Sequence, residues 1–407
     1  MLPDKTHILV LTPAYPPFHG GGERYTQSLL QALAQANPRL RFTVLTSTAV
    51  AEQDFWHGRA DPNTQTPTPQ LTIQRHALRP AWGGRNGLFA WRKLMVVGSQ
   101  LSAPPALLRR MAGWVPRLPL STAVDKLAQQ DPFDLIHGFN ISWEAPLVAG
   151  WQAAQAHATP FVVTPYAHLG QRHGDKVARN STMRHQLAIL REAQAVLTLT
   201  DIEKEGLGAY GVPLAQIHTI GGGGDPLPAT MPPLDWAALG LTRPFVLFIG
   251  RVSFDKGALH ALEAILHLNE ADPPTPVQLA LVGALSPEFE RRYQRLSDQQ
   301  KAWIRPLGRV DEGVKHALLR EAAMLVLPSH TDSFGIVFLE AWAHATAVVG
   351  ARAGGIPGVV TDGEDGLLVP FGDVPALSAA IQRLLADQPL RVQLGRAGQE
   401  KLQTQFN

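Results

Sequence analysis

The chain has no cysteine, so disulfide cross-links, thiolate metal sites and cysteine nucleophiles are all excluded. Charge is scarce: 17% of residues are Asp, Glu, Lys or Arg, and the formal net charge is only +2. A balance this close to neutral argues against general nucleic-acid binding, and no RNA- or DNA-binding motif accompanies it. Nor is there an uninterrupted apolar run of about 18 residues that would span a bilayer. The N-terminus passes from Met1-Leu-Pro-Asp-Lys into a short apolar strand, without the charged n-region, longer h-region and cleavage site of a signal peptide. The expectation is therefore a cytoplasmic protein. No solenoid-type repeat is visible.

What remains is a chain of 407 residues, 45% of them hydrophobic, too long for one core and rich enough in apolar side chains for two. Short β-branched runs alternate with segments of helical period: Ile8 to Thr12, then Gln27 to Ala36, then Phe42 to Thr46. The rhythm continues through Asp134 to His137, Phe161 to Thr164 and Val196 to Leu199, and breaks at Gly221-Gly-Gly-Gly-Asp-Pro and the prolines that follow. It restarts at Phe245 to Ile249, continues through a helix with Leu259, Leu262 and Leu266 on one face, and recurs at Gln278 to Val282, Met324 to Leu327 and Ala347 to Val349. This pattern predicts an α/β protein of two Rossmann-like, doubly wound parallel domains facing a cleft, residues 1–225 and 226–407.

One segment lacks a whole class of side chain. From Pro62 to Val124 there is no Asp or Glu, while Arg75, Arg79, Arg85, Arg92, Lys93, Arg109, Arg110 and Arg117 are interleaved with Trp82, Phe89, Trp91, Met95, Met111 and Trp114. Two readings stand. The insertion, about 75–120, either packs an apolar helix face on the N-terminal core, or lies at a membrane interface where each basic group near anionic lipid contributes about 1 kcal/mol. The second would make the protein peripheral at the inner membrane face.

Chemistry concentrates in two stretches of the second half. In Val246-Leu-Phe-Ile-Gly-Arg-Val-Ser-Phe-Asp-Lys-Gly257 a strand ends at Gly250, and Arg251 and Lys256 bracket the turn into a helix. Two fixed cations suit a diphosphate, since charge-assisted hydrogen bonds contribute about 1.5–3 kcal/mol each and can take over a metal ion's part in stabilising a departing nucleoside diphosphate. The alternative is a solvated turn with ordinary surface charges. In Leu327-Pro-Ser-His-Thr-Asp-Ser-Phe-Gly-Ile-Val-Phe-Leu-Glu340 a strand leads through a loop into a helix expected to begin near Phe334, whose N-terminus offers peptide N–H groups to an anion. Asp332 would precede that helix and Glu340 lie about two turns in, both able to bind sugar hydroxyls. Read blandly, they are a capping aspartate and a helix-surface glutamate.

The N-terminal half offers Gly20-Gly-Gly-Glu-Arg, a run that lets a backbone loop close on phosphate or sugar, and His168 after the strand ending at Thr164. The run lacks the spacing of the dinucleotide fingerprint, which disfavours a nicotinamide enzyme. No metal-ligand cluster stands out, and Asp362-Gly-Glu-Asp365 reads as a turn opening the next strand.

Taken together, these residues resemble the group 1 family of retaining glycosyltransferases with the GT-B architecture. The resemblance is most specific from Phe245 to Asp387, where Gly354-Gly-Ile-Pro and Gly366-Leu-Leu-Val follow the two stretches above in the family's order. It implies transfer of a sugar from a nucleotide-diphosphate donor, a UDP- or GDP-sugar, to a hydroxyl acceptor such as a lipid or a growing glycan, without metal or other cofactor. It further implies that Gly250, Arg251 and Lys256 hold the diphosphate, that Phe334, Gly335 and Ile336 meet phosphate and sugar through their backbone, that Asp332 faces the sugar, and that Glu340 binds the ribose. Leu307 and Arg309 would flank the nucleobase. In the acceptor domain, His168 and the glycine loop at Gly21 and Gly22 would stand beside the donor sugar.

The departures from the family pattern are Asp332 where glutamate is usual, the Gly221 to Gly224 run in place of Pro-Asn-Gly, and Ala345 and Ala347 where glycine and proline are common. The sequence stops at Phe406-Asn407, about where the family begins a last helix crossing to the first domain. Two other readings are compatible with these features: a non-catalytic subunit that binds a nucleotide sugar, and a nucleotide-sugar epimerase of the same architecture.

Overall fold

Continuous apolar runs such as Phe245–Ile249 form strands when both sheet faces are covered by helices, and here all five of its residues are buried. The computed structural model describes residues 6–51, 53–57, 70–79, 82–114, 118, 120–170, 175–271 and 275–406. Contacts divide the chain into two compact units, Met1–Gly221 and Gly222–Asn407.

The first unit contains a parallel sheet of β1 (Thr6–Leu11), β2 (Leu40–Ser47), β3 (Leu71–His76), β4 (Leu135–Phe139), β5 (Phe161–Thr164), β6 (Ala195–Thr198) and β7 (Ile217–Thr219), in the order β3-β2-β1-β4-β5-β6-β7. Its core gathers Leu9, Leu11, Leu45, Ile136, Val163 and Val196. The second unit holds β8 (Phe245–Ile249), β9 (Gln278–Val282), β10 (Ile304–Gly308), β11 (Met324–Leu327), β12 (Ala347–Ala351) and β13 (Leu367–Val369), ordered β10-β9-β8-β11-β12-β13. Its pairings are parallel throughout, with Val246 opposite both Leu279 and Met324. Both units are thus doubly wound. In each, strand order reverses beside the first strand, between β1 and β4 and between β8 and β11, and the loops leaving the carboxyl ends there flank a crevice suited to a ligand.

The helix expected from Gln27 starts earlier, at Gly21, and runs to Ala36. Gly21 and Gly22 are therefore its first two residues rather than a free loop. The helix expected near Phe334 begins two residues later, at Ile336, because Gly335 takes a φ of +90° that a helix interior does not accommodate. It is only seven residues long, so its dipole contributes little to anion binding. Ala345, where the family favours glycine, has a φ of +53°.

The acid-free segment forms the strand β3 and the helices Gly84–Gln100 and Pro105–Ala112. Met95, Leu108 and Ala112 are buried in the core of the first unit. Arg117 and the part of the segment before residue 70 lie outside the described residues. Among the described residues, no helix is long and apolar enough to cross a membrane.

Candidate active site

At the carboxyl ends of β8 and β11, two loops are tied to each other. The turn after β8 carries Arg251, whose Nη2 lies 2.7 Å from Asp255 Oδ2, and Lys256, whose Nζ lies 2.8 Å from Asp332 Oδ1 on the loop after β11. The backbone joins them too. Asp255 O accepts from His330 N at 3.2 Å and from Ser329 Oγ at 3.3 Å, and Thr331 Oγ1 donates to Asp255 Oδ2 at 3.3 Å. Burial pushes the Asp255 carboxyl up, but the charges of Arg251 and Lys256 and hydrogen bonds from Ser253 and Arg251 outweigh it and hold the group below the usual carboxylate range.

Gly354 and Gly355 pass directly against the same loop, with Gly355 N donating to Asp332 O at 2.8 Å. A Cβ on Gly355 would overlap Ser333 O, so the Gly354-Gly-Ile-Pro motif serves close backbone approach. Phe334, buried below the loop, has Gly222 against its ring, where a Cβ would fall 2.5 Å from the ring edge. The Phe406 ring meets Phe334 edge-on at 5.6 Å, and Phe406 O accepts from Gly224 N. Within the Gly221 to Gly224 run, Gly222 leaves no room for a side chain over Phe334, Gly221 takes a φ of +73°, and a Cβ on Gly224 would fall 2.8 Å from Leu402.

Neither bland reading of the two acids holds. Asp332 caps no helix, since Gly335 occupies the cap position, and Glu340 is buried rather than on a helix surface. Glu340 Oε1 lies 2.8 Å from Lys315 Nζ, itself buried and 2.7 Å from Glu312 Oε2. Nothing in the linear sequence singles out Lys315, because its meaning depends on a glutamate 25 residues away. The donor atoms of Glu312, His316 and Glu340 lie within 4.8 Å of one another, a grouping the sequence did not disclose, and the Lys315 ammonium bonds both of its carboxylates. Leu307 and Arg309 sit at the carboxyl end of the edge strand β10, just before the helix Glu312–Glu321 that carries Lys315. Asp362 accepts from Leu368 N and pairs with Arg352, while Asp365 accepts from Thr361 N, as a turn opening β13 requires.

In the first unit, Gly22 lies against the Tyr166 ring, which brings the helix start at Gly21 and Gly22 to the loop after β5 that carries His168. Tyr166 and Thr26 exchange a hydroxyl hydrogen bond of 2.9 Å, and His168 N donates to Ser181 Oγ. Glu203 accepts from Ala167 N at 2.6 Å and Leu199 N at 3.0 Å, and burial pushes its carboxyl up to about 7. Burial does the same to Glu23, to about 7. Glu23 belongs to the Gly20-Gly-Gly-Glu-Arg run, whereas no pattern in the sequence marked Tyr166 or Glu203.

Residues 237–401 match the family described as glycosyl transferases group 1, and residues 20–223 match a glycosyl transferase 4-like domain. The chain belongs to the group 1 glycosyltransferases. Its relatives include a glycogen synthase of Mycobacterium tuberculosis, 29% identical over 67% of this chain and 65% of that protein. A D-inositol 3-phosphate glycosyltransferase of Xylanimonas cellulosilytica is 32% identical over 60% of this chain and 63% of that protein. The matched stretch spans a little under two thirds of these relatives' own length. Among solved structures, the sucrose-phosphate synthase of Thermosynechococcus elongatus superposes with a TM-score of 0.73 at 24% identity, covering 99% of this chain and 95% of that one. Anabaena Alr3699/HepE in complex with UDP-glucose does so at 0.69 and 20% identity, covering 98% and 95%. At these identities the structural likeness is one of fold.

Proposed function

We propose that this group 1 glycosyltransferase moves a sugar from a nucleotide-diphosphate donor, a UDP- or GDP-sugar, to a hydroxyl acceptor, with retention of configuration and without a metal ion. The pair of cations at the β8–β11 switch point carries the reading. Arg251 and Lys256 are fixed by carboxylates on two interlocked loops, and a donor diphosphate would exchange those carboxylates for its own oxygens. As the bond from the anomeric carbon to the diphosphate breaks and the bond to the acceptor oxygen forms on the same face, charge develops on the diphosphate, whose departing oxygen takes up the proton of the acceptor hydroxyl. The two cations stabilise it there, with Gly250 giving access. Asp332 turns to the sugar, Glu340 to the ribose hydroxyls, and the Phe334, Gly335 and Ile336 backbone to phosphate and sugar. Leu307 and Arg309 flank the base. His168, Gly21 and Gly22 serve the acceptor unit. A cytoplasmic setting, with contact at the inner membrane face, completes the reading.

The Anabaena neighbour's UDP-glucose complex and the relatives' names, glycogen synthase among them, support a nucleotide-sugar donor. The test is a thermal-shift screen against UDP, GDP, ADP and their sugar conjugates with EDTA present, followed by turnover. A nucleotide at 100 times its Kd adds about 2.7 kcal/mol of stability. Lys256→Ala and Arg251→Ala should each lower turnover at least about tenfold with the fold intact, as the loss of one charge-assisted hydrogen bond in the transition state requires. Wild-type rates in both would sink the assignment. Binding without transfer would point to a non-catalytic subunit, and donor conversion without acceptor to an epimerase.

A further inference from the structure

The helices Gly84–Gln100 and Pro105–Ala112 present a surface that the transfer chemistry does not use. Their inner faces are accounted for. Besides the buried Met95, Leu108 and Ala112, three of the segment's arginines are spent inside the unit. Arg75 donates to the carbonyls of Tyr15, Pro16 and Ser47, and Arg92 pairs with Glu144. Arg109 pairs with Glu192 and lies 4.1 Å over the Trp151 ring.

The outer face is of another kind. Trp82 is 96% exposed, Leu101 79%, Phe89 54%, and Leu94 and Leu107 50% each. Phe89, Lys93 and Val97 follow at helical spacing along the solvent side. The two helices pack together, a Cβ on Gly98 falling 3.4 Å from Leu108 and the Trp91 and Trp114 rings standing 5.9 Å apart. Around this apolar surface stand the exposed Arg79, Arg85, Lys93 and Arg110, and the segment supplies no carboxylate to offset them.

Large apolar side chains in water cost free energy unless something covers them. The occupant must be apolar where Leu94, Leu101 and Leu107 meet it and anionic at its rim. A nucleic acid could use the basic rim and stack on Trp82 and Phe89, but it leaves Leu94, Leu101 and Leu107 in water, because aliphatic side chains offer no stacking platform for bases. An anionic bilayer meets both: tryptophan and phenylalanine settle at the boundary of headgroups and acyl chains, while lysine and arginine reach up to the phosphates. We propose that this face seats the protein on anionic lipid bilayers, with Trp82, Phe89 and Leu101 in the boundary and Arg85, Lys93 and Arg110 at the headgroups. Under the transfer reading above, it brings the acceptor unit to where a lipid-linked hydroxyl is found.

The experiment is sedimentation of the full chain with vesicles of phosphatidylcholine alone or mixed equally with phosphatidylglycerol, without any sugar substrate. Its failure and that of the transfer reading are therefore separable. The protein should pellet with the anionic vesicles at low salt and be released at high salt. A Trp82→Ser, Phe89→Ser, Leu101→Ser triple variant and a Lys93→Glu, Arg110→Glu double variant should each weaken pelleting by about tenfold or more, with far-UV circular dichroism unchanged. Three results would overturn the proposal: no pelleting at low salt, equal pelleting on the neutral vesicles, or a triple variant that binds like wild type. The last would reduce the surface to a generic polycation, which polyphosphate would bind as well.

Discussion

Glu203 in the first unit and Glu340 in the second are both buried glutamates, and the two units satisfy them differently. Glu203 meets two peptide N–H groups, from Ala167 and Leu199, and burial drives its carboxyl toward the neutral form. Glu340 meets the ammonium of Lys315. The contrast extends to their surroundings. Near Gly22 and His168, burial pushes Glu23 up to about 7, Tyr25 up to about 12 and Tyr166 well above 10, each favouring an uncharged side chain. On the β8–β11 loops, Asp255 is held in its charged form by Arg251 and Lys256. Around Gly22 and His168 charge is suppressed, whereas the β8–β11 loops display it.

Lys315→Met would break this contrast most sharply. It strands Glu340 without its buried cation and should cost about 3 kcal/mol, read from urea unfolding of the second unit. Glu312→Gln, at the exposed end of the same network, should cost under about 0.5 kcal/mol.

A second effect separates the units by pH. Below 4.5 the Glu203 carboxyl is protonated whether the chain is folded or not; from there to about 7 the fold retains a proton that the unfolded chain has lost. This group's contribution therefore falls as pH rises, by up to about 1.4 kcal/mol per unit across that window, and is constant above it. His137, driven by burial down to about 3, acts in the opposite sense, its contribution growing as pH rises to 6.5. The clean measurement is the difference in melting between wild type and Glu203→Gln at pH 5 and pH 7.5: the variant's deficit should shrink at the higher pH. A constant deficit would mean that Glu203 is not buried as a neutral acid.

A further small effect concerns backbone alone. Ala345→Gly relieves about 1–2 kcal/mol of left-handed strain against an entropic cost of about 0.4–1 kcal/mol, and should raise stability by about 0.5 kcal/mol, visible as a small rise in melting temperature.

The strands most legible in sequence were the ones buried on both faces, Phe245–Ile249, Gln278–Val282 and Met324–Leu327, each predicted to the residue. Three strands gave no such signal: Leu71–His76, Ile217–Thr219 and Ile304–Gly308 are all at sheet edges, where one flank is open and residues such as Gln74, His218 and Arg305 dilute the apolar run. The start of the helix Gly21–Ala36 was hidden by glycines, whose low helix propensity reads as loop. Local motifs located Arg251, Lys256 and Asp332 on their loops, whereas the pairing of Lys256 with Asp332 spans 76 residues and the partnership of Lys315 with Glu340 spans 25. Such pairs belong to the topology: the adjacency of β8 and β11 brings the loops of Lys256 and Asp332 together, and the packing of the helices Glu312–Glu321 and Ile336–Trp342 brings Lys315 to Glu340.

The ion pairs at the β8–β11 junction also bear on which anions could bind there and how they would leave. Because Asp255 and Asp332 already neutralise Arg251 and Lys256, an incoming anion competes with an internal partner for each cation. A lone phosphate displaces one carboxylate for a single contact and gains little, whereas a diphosphate displaces both with a single loss of translational freedom. Under the proposed transfer the same aspartates would retake their cations once the nucleotide departs, and the site would close its own charges behind it.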